Sequence, residues 1–243
     1  MDPQLIWVIL VVACASYIQS VTGFGFGIFA MIFLPHLLLY TEANVLSSML
    51  SSLTSVTVCL FTFRKINFKN LWFPLIGSSV TTYLAVAFVK TQKNETLTLF
   101  LGIALLLLSL YFFFFSSKIK IKPTWYAGLI AGVVSGVMGG MFSIGGPPVV
   151  IYFVQTEEES DRYLATISAY FVLSSVVSIS TKAAAGFITQ TVLLCFAIGA
   201  LGMAVGAFIG KRTRERIDPK ALKKVVYGVM AASGAVNIVT SLL

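Results

Sequence analysis

The chain is a succession of apolar runs of membrane-spanning length, with nearly all of its charge held in the gaps between them. The runs fall near 5–22, 25–40, 43–63, 71–89 and 96–115, then near 124–140, 146–155, 162–181, 190–210 and 221–242. A bilayer-crossing helix needs ~20 apolar residues, so the chain reads as eight full spans, or ten counting the short ones. Only 26 of the 243 residues are charged, or 11%, whereas soluble domains carry about 25%. A water-facing surface cannot be clothed with so few polar groups. The expected fold is therefore an all-α polytopic membrane protein.

The net charge of +8 bears on orientation rather than on partners. Basic residues crowd into short gaps, as in cytoplasmic membrane loops, which argues against a nucleic-acid partner and for membrane lipid. Cys14, Cys59 and Cys195 occupy three different apolar runs and make no CxxC. An odd, scattered set gives no disulfide framework. Met1-Asp2-Pro3-Gln4 carries no basic cluster ahead of its apolar run, so the run reads as a first membrane segment rather than a signal peptide.

The two sets of runs look like one unit duplicated: residues 1–117 form a first repeat, 118–123 a basic connector and 124–243 a second repeat. Ile76-Gly77 recurs as Ile198-Gly199, 122 residues on, and glycine-rich stretches open both halves. Basic clusters lie at Arg64, Lys65 and Lys69, at Lys118, Lys120 and Lys122, and at Lys211, Arg212, Arg214, Arg216 and Lys220. They flank a pair of spans in the first half and sit within the corresponding pair in the second. If basic loops are cytoplasmic, equivalent loops face opposite sides, both termini lie outside, and the repeat is inverted. Transporters are often built this way, with broken helices meeting near the midplane.

The two glycine stretches are the candidate binding elements. The first contains Gln19, Thr22, Gly23, Gly25 and Gly27; the second contains Ser135, Gly139, Gly140, Ser143, Gly145 and Gly146, followed by Pro147-Pro148. Glycine permits positive φ, and proline removes backbone donors and disfavours helix before it. Irregular backbone at membrane depth survives only where protein buries it or a cavity borders it, and amides freed at a break can bind an anion. The competing reading is close helix packing through small residues. Hydroxyl-rich helices follow each stretch, and Ser51 and Ser168 are taken as polar lining. Arg64 and Lys182, 118 residues apart, end corresponding runs and read as cations at the mouth.

Absences narrow the chemistry. All nine acidic residues lie at or beyond the ends of runs, so no carboxylate is placed for an intramembrane proton relay or cation site. Uniport, anion exchange and coupling to sodium through carbonyls and hydroxyls stay open. His36, the one histidine, follows Pro35 near a run end and reads as interfacial, with no metal-binding set around it. No Walker A sequence or Ser/His/Asp arrangement is present, so an enzyme is not expected.

At these glycine stretches the chain resembles the TauE/SafE sulfite-exporter family of membrane transporters. The resemblance rests on the duplicated unit, the glycine-rich break opening each half, and the Ile-Gly span, basic loop and last helix that close it. The usual family break, like G-x-G-G-G with a proline soon after, is replaced by Gly23-Phe24-Gly25-Phe26-Gly27 with Pro35, and by Gly139-Gly140 with Gly145-Gly146-Pro147-Pro148. The resemblance implies an inner-membrane transporter of a small anion such as sulfite or a sulfonate, with no cofactor and a homodimer as an admissible assembly. The alternative is an anion channel, or a scaffold whose glycines only pack helices.

Overall fold

Each apolar run is a helix in the computed structural model, which describes all residues except 1–2, 23–24, 115–121, Pro123, Glu158, 214–215 and Leu243. The first five are α1 (Pro3–Thr22), α2 (Phe26–Phe33), α3 (Tyr40–Thr62), α4 (Phe68–Thr91) and α5 (Asn94–Phe114). The second five are α6 (Trp125–Phe142), α7 (Gly146–Thr156), α8 (Ser160–Ala184), α9 (Gln190–Thr213) and α10 (Pro219–Leu242). Eight are long and apolar enough to cross a membrane; α2 and α7, at 8 and 11 residues, are short. The basic connector lies outside the described residues apart from Lys122. Large apolar side chains point outward along the long helices, with Phe61 87% and Leu201 69% exposed. Water would not tolerate so much exposed apolar surface, whereas lipid tails do.

Two compact units form, and each draws helices from both halves of the sequence. Unit 1 comprises Met1–Ser47, Thr91–Lys118 and Ile188–Leu243; unit 2 comprises Ser48–Lys90 and Ile119–Phe187.

In unit 1, α9 lays Gly202, Gly206 and Gly210 against Ile9, Ala13 and Tyr17 of α1. The four-residue steps keep pace, so these helices run parallel in a small-residue seam. Ser16 and Ser20 donate across it to the carbonyls of Met203 (2.7 Å) and Ala207 (3.1 Å). Helices α5 and α10 run antiparallel: Gly102 meets Gly234, and Ser109 donates to Tyr227 O at 2.8 Å.

In unit 2 the seam belongs to α6, whose Gly128, Gly132, Gly136 and Gly140 face Pro74 to Ala85 of α4. Pro74 lies inside α4, where its ring takes space and removes a helical bond. Gly128 and Gly132 leave that space open on the facing helix. Thr81 and Thr82 donate to Val133 O (3.0 Å) and Gly136 O (3.3 Å). Beside the seam, Leu71, Leu75, Val149, Phe153, Ile167 and Tyr170 form an apolar core.

Candidate functional site

The second glycine stretch is a chain reversal inside unit 2. Helix α6 ends at Phe142, and Ser143 adopts left-handed backbone (φ 56). Ser143 N donates to Gly139 O at 3.0 Å and Ile144 N to Met138 O at 3.2 Å, closing the helix in an αL cap. Glycine normally holds that position; a side chain there costs ~1–2 kcal/mol. After Gly145 the chain folds back, so that Gly145 lies against Ser135 and Gly139, and Tyr152 against Gly128. Pro147 and Pro148 occupy the first turn of α7, where their missing donors cost nothing. They start the returning helix.

Three polar groups brace this reversal. Ser135, buried in α6, donates to Gly145 O and shares a 2.8 Å hydrogen bond with the Tyr170 hydroxyl of α8. The third is Lys182, which is 0% exposed. Its Nζ donates to Ser48 Oγ (2.6 Å), Ser143 Oγ (3.0 Å) and Gly139 O (3.3 Å). An ammonium has three donors, and three oxygens meet them. The Ser48 and Ser143 hydroxyls are themselves bonded at 2.7 Å.

The hydrogen bonding is satisfied and the charge is not. Among the described residues no carboxylate pairs with Lys182; the ion pair found there is Lys65–Asp161. The α6 C-terminus contributes roughly half a negative charge, and the rest stays uncompensated. Ser48 is eight residues beyond the start of α3, ~12 Å along its axis, whereas Lys182 lies in the last turn of α8 and Gly139 and Ser143 at the end of α6. Ser143, directly on the ammonium, is only half-buried. The cation is thus covered by a residue that is not itself fully enclosed.

This differs from the sequence reading of Lys182 as a cation at an open mouth. The apolar run ends at 181, whereas α8 continues to Ala184. Ala183-Ala184-Ala185 was the available signal, since alanine carries a helix on and leaves the lysine inside it. Arg64 does stay exposed, its guanidinium 5.7 Å from the Phe63 ring centroid.

The other expected residues separate. Ser51 spends its hydroxyl on Ser48 O of its own helix, at 3.2 Å; Ser48, one turn earlier, reaches the cation instead. Ser168 is buried in α8, while Tyr170, two residues on, reaches the reversal. Gly140 belongs to the α4 seam, where a methyl would sit 2.7 Å from Ala85 Cβ. Gly146 opens α7. In the second stretch the positive φ falls on Ser143, while Gly145 sits at φ −75.

The first stretch lies in unit 1. Gly25 has φ 104 and precedes α2, Gly27 is half-buried in α2, and Gly23 lies outside the described residues. Thr22 donates back to Ile18 O at 2.8 Å. Gln19 Oε1 is buried without a partner among the described residues. Unit 1 also holds a cavity of about 540 Å³ lined by Gln4, His36, Tyr40, Glu42, Asn94 and Thr98 among others. The Glu42 carboxylate on its wall accepts from Thr189 at 2.7 Å, a sign of charge that repels an anion.

A bundle of membrane-length helices, one of which breaks and folds back over a buried charge, has the construction of a secondary transporter. The chain belongs to the family described as Sulfite exporter TauE/SafE, whose model matches residues 8–236. It is also similar to a protein of Cupriavidus necator named "Probable sulfite/organosulfonate exporter TauE", 23% identical over 225 residues, covering 90% of this chain and 88% of the relative. No solved structure matches. The chain is therefore a multi-pass membrane protein of a transporter family.

Proposed function

We propose that this protein carries a small anion, a sulfur oxyanion or an organosulfonate or carboxylate, through a site at the α6–α7 reversal. Lys182 carries this reading: a fully buried cation, held by two hydroxyls and a carbonyl, with no carboxylate beside it among the described residues. A buried cation without a carboxylate partner among the described residues leaves room for an external anion to balance it. The family and the name of the Cupriavidus relative agree with an anionic cargo. Ser135 and Tyr170 would hold the reversal in shape, with Ser48 and Ser143 beside the bound anion.

The test is flux through the purified protein in liposomes loaded with sulfite, sulfoacetate, thiosulfate or simple carboxylates. Saturable flux with competition among anions is expected, and Lys182→Gln should abolish it. Flux that does not saturate would make the protein a channel. The absence of flux and of binding for every anion would leave the glycine seams as helix packing and the chain as a scaffold.

A further inference from the structure

We propose that the Lys182 site selects by charge, admitting one singly charged oxyanion group such as a sulfonate or hydrogensulfite and rejecting dianions of the same shape. The inference rests on the reading of this reversal as the anion site. Its ground is the charge inventory of unit 2. Lys65 pairs with Asp161 at the start of α8, 21 residues from Lys182 and ~31 Å away along the helix. Arg64 lies next to that pair and Glu157 accepts from Asn70 near the start of α4, so neither supplies charge at the reversal. Lys90, in the last turn of α4 five residues beyond the Ala85 that packs on Gly140, is exposed, so among the described residues Lys182 is the one buried ammonium at the reversal.

Around that ammonium the remaining groups are dipoles of mixed sign. Each of the Ser48 and Ser143 hydroxyls accepts from Nζ, and one proton of the pair closes the bond between them. Rotated, these hydroxyls can donate to an oxyanion that takes their place on Nζ. Gly139 O faces the same nitrogen, and as a carbonyl at the end of α6 it repels negative charge. A monoanion thus neutralises the site and finds two hydroxyl donors. A dianion leaves one negative charge over, desolvated and facing a carbonyl, with no second buried cation among the described residues to meet it. Water solvates the dianion far more strongly than the monoanion, and this site does not replace that solvation.

Methanesulfonate and sulfate make the test, because they share a tetrahedral SO₃ group and differ by a methyl against a charged oxygen. Binding of each to the purified full chain is measured by titration calorimetry at one pH and one ionic strength. Methanesulfonate should bind at least tenfold more tightly than sulfate. Sulfate binding equally or more tightly overturns charge selection while leaving the anion site standing. If neither anion binds, the anion-site reading fails as well. Lys182→Met should weaken methanesulfonate at least tenfold, and Lys182→Arg should keep the preference for it; undiminished binding to Lys182→Met overturns the placement. Should Lys182→Met fail to fold, Ser48→Ala serves: methanesulfonate weakened severalfold with the preference over sulfate kept supports the site, and unchanged affinity overturns the role of the hydroxyls.

Discussion

In unit 1 the chain turns from α1 into α2 through Gly25 at φ 104; in unit 2 it turns from α6 into α7 through Ser143 at φ 56. Both reversals need a left-handed residue and both lie in glycine-rich sequence. At the first, glycine meets the need without strain, and the neighbouring Gln19 Oε1 is left buried and unpartnered among the described residues. At the second, a serine is kept in spite of its Cβ, and its hydroxyl bonds to Lys182 and Ser48. Glycine shapes a turn; it does not say what the turn is for. Ser143, left-handed in spite of its Cβ, is where the second turn meets a cation.

The comparison is hardest to disturb at the seams, which serve the two units alike. A methyl on Gly132 would lie 2.1 Å from Pro74 O, and one on Gly206 equally close to Ala13 O. Neither neighbour can yield, because each is backbone of a packed helix. Gly132→Ala and Gly206→Ala should each lower stability by about 3 kcal/mol, read as a large fall in melting temperature. If one variant melts like wild type, the seam in that unit is looser than its partner and the likeness of the units fails there.

Exchanging the two left-handed residues sharpens the contrast. Ser143→Gly relieves ~1–2 kcal/mol of backbone strain and deletes a hydroxyl worth a comparable amount to a charged partner. Melting temperature should hold while anion affinity falls about tenfold, a loss of ~1.4 kcal/mol. Gly25→Ser should do the reverse, costing ~1–2 kcal/mol of stability with affinity unchanged. Affinity lost in both variants would give unit 1 a part in binding.

The helices were legible because lipid-facing and buried positions are both apolar, so spans announce themselves by length alone. The short returning helices α2 and α7 were visible as short runs bounded by glycine and proline. Legibility stopped where three-dimensional phase matters. Ser48 and Ser51 lie one turn apart on α3, and sequence has no means of telling which faces Lys182. Left-handed backbone at Ser143 was hidden as well, since four glycines nearby were better candidates for it. Lys182 is visible as a residue, but a run boundary at 181 leaves it just outside a helix that continues to Ala184.

Smaller effects belong to the buried carboxylates at helix ends. Glu42 accepts from Thr189, whose hydroxyl also accepts from Val192 N at 3.2 Å in the first turn of α9. Glu157 accepts from Asn70 Nδ2 at 2.9 Å. Glu42→Gln and Glu157→Gln keep an acceptor oxygen and lose only its charge, so each should cost about 1 kcal/mol of stability and leave anion flux largely intact. Flux abolished in either, with the protein still folded, would bring that carboxylate into the transport cycle.

The smallest effect should come from Gly139→Ala, and it has the opposite sign. Gly139 is helical, and its role at the site is its carbonyl, which accepts from Lys182. A methyl there would meet Gly145 Cα at 3.6 Å and Gly145 N at 3.9 Å, ordinary contact distances. It would point into the cleft between α6 and α7, so no bond to the ammonium need be lost. Replacing glycine by alanine inside a helix gains about 0.5–1 kcal/mol, and nothing nearby offsets that gain. The melting temperature should rise by a degree or more and anion affinity should change less than twofold. A variant that is more stable but binds poorly would place the anion between Gly139 and Gly145, deeper in the reversal than Lys182 alone requires.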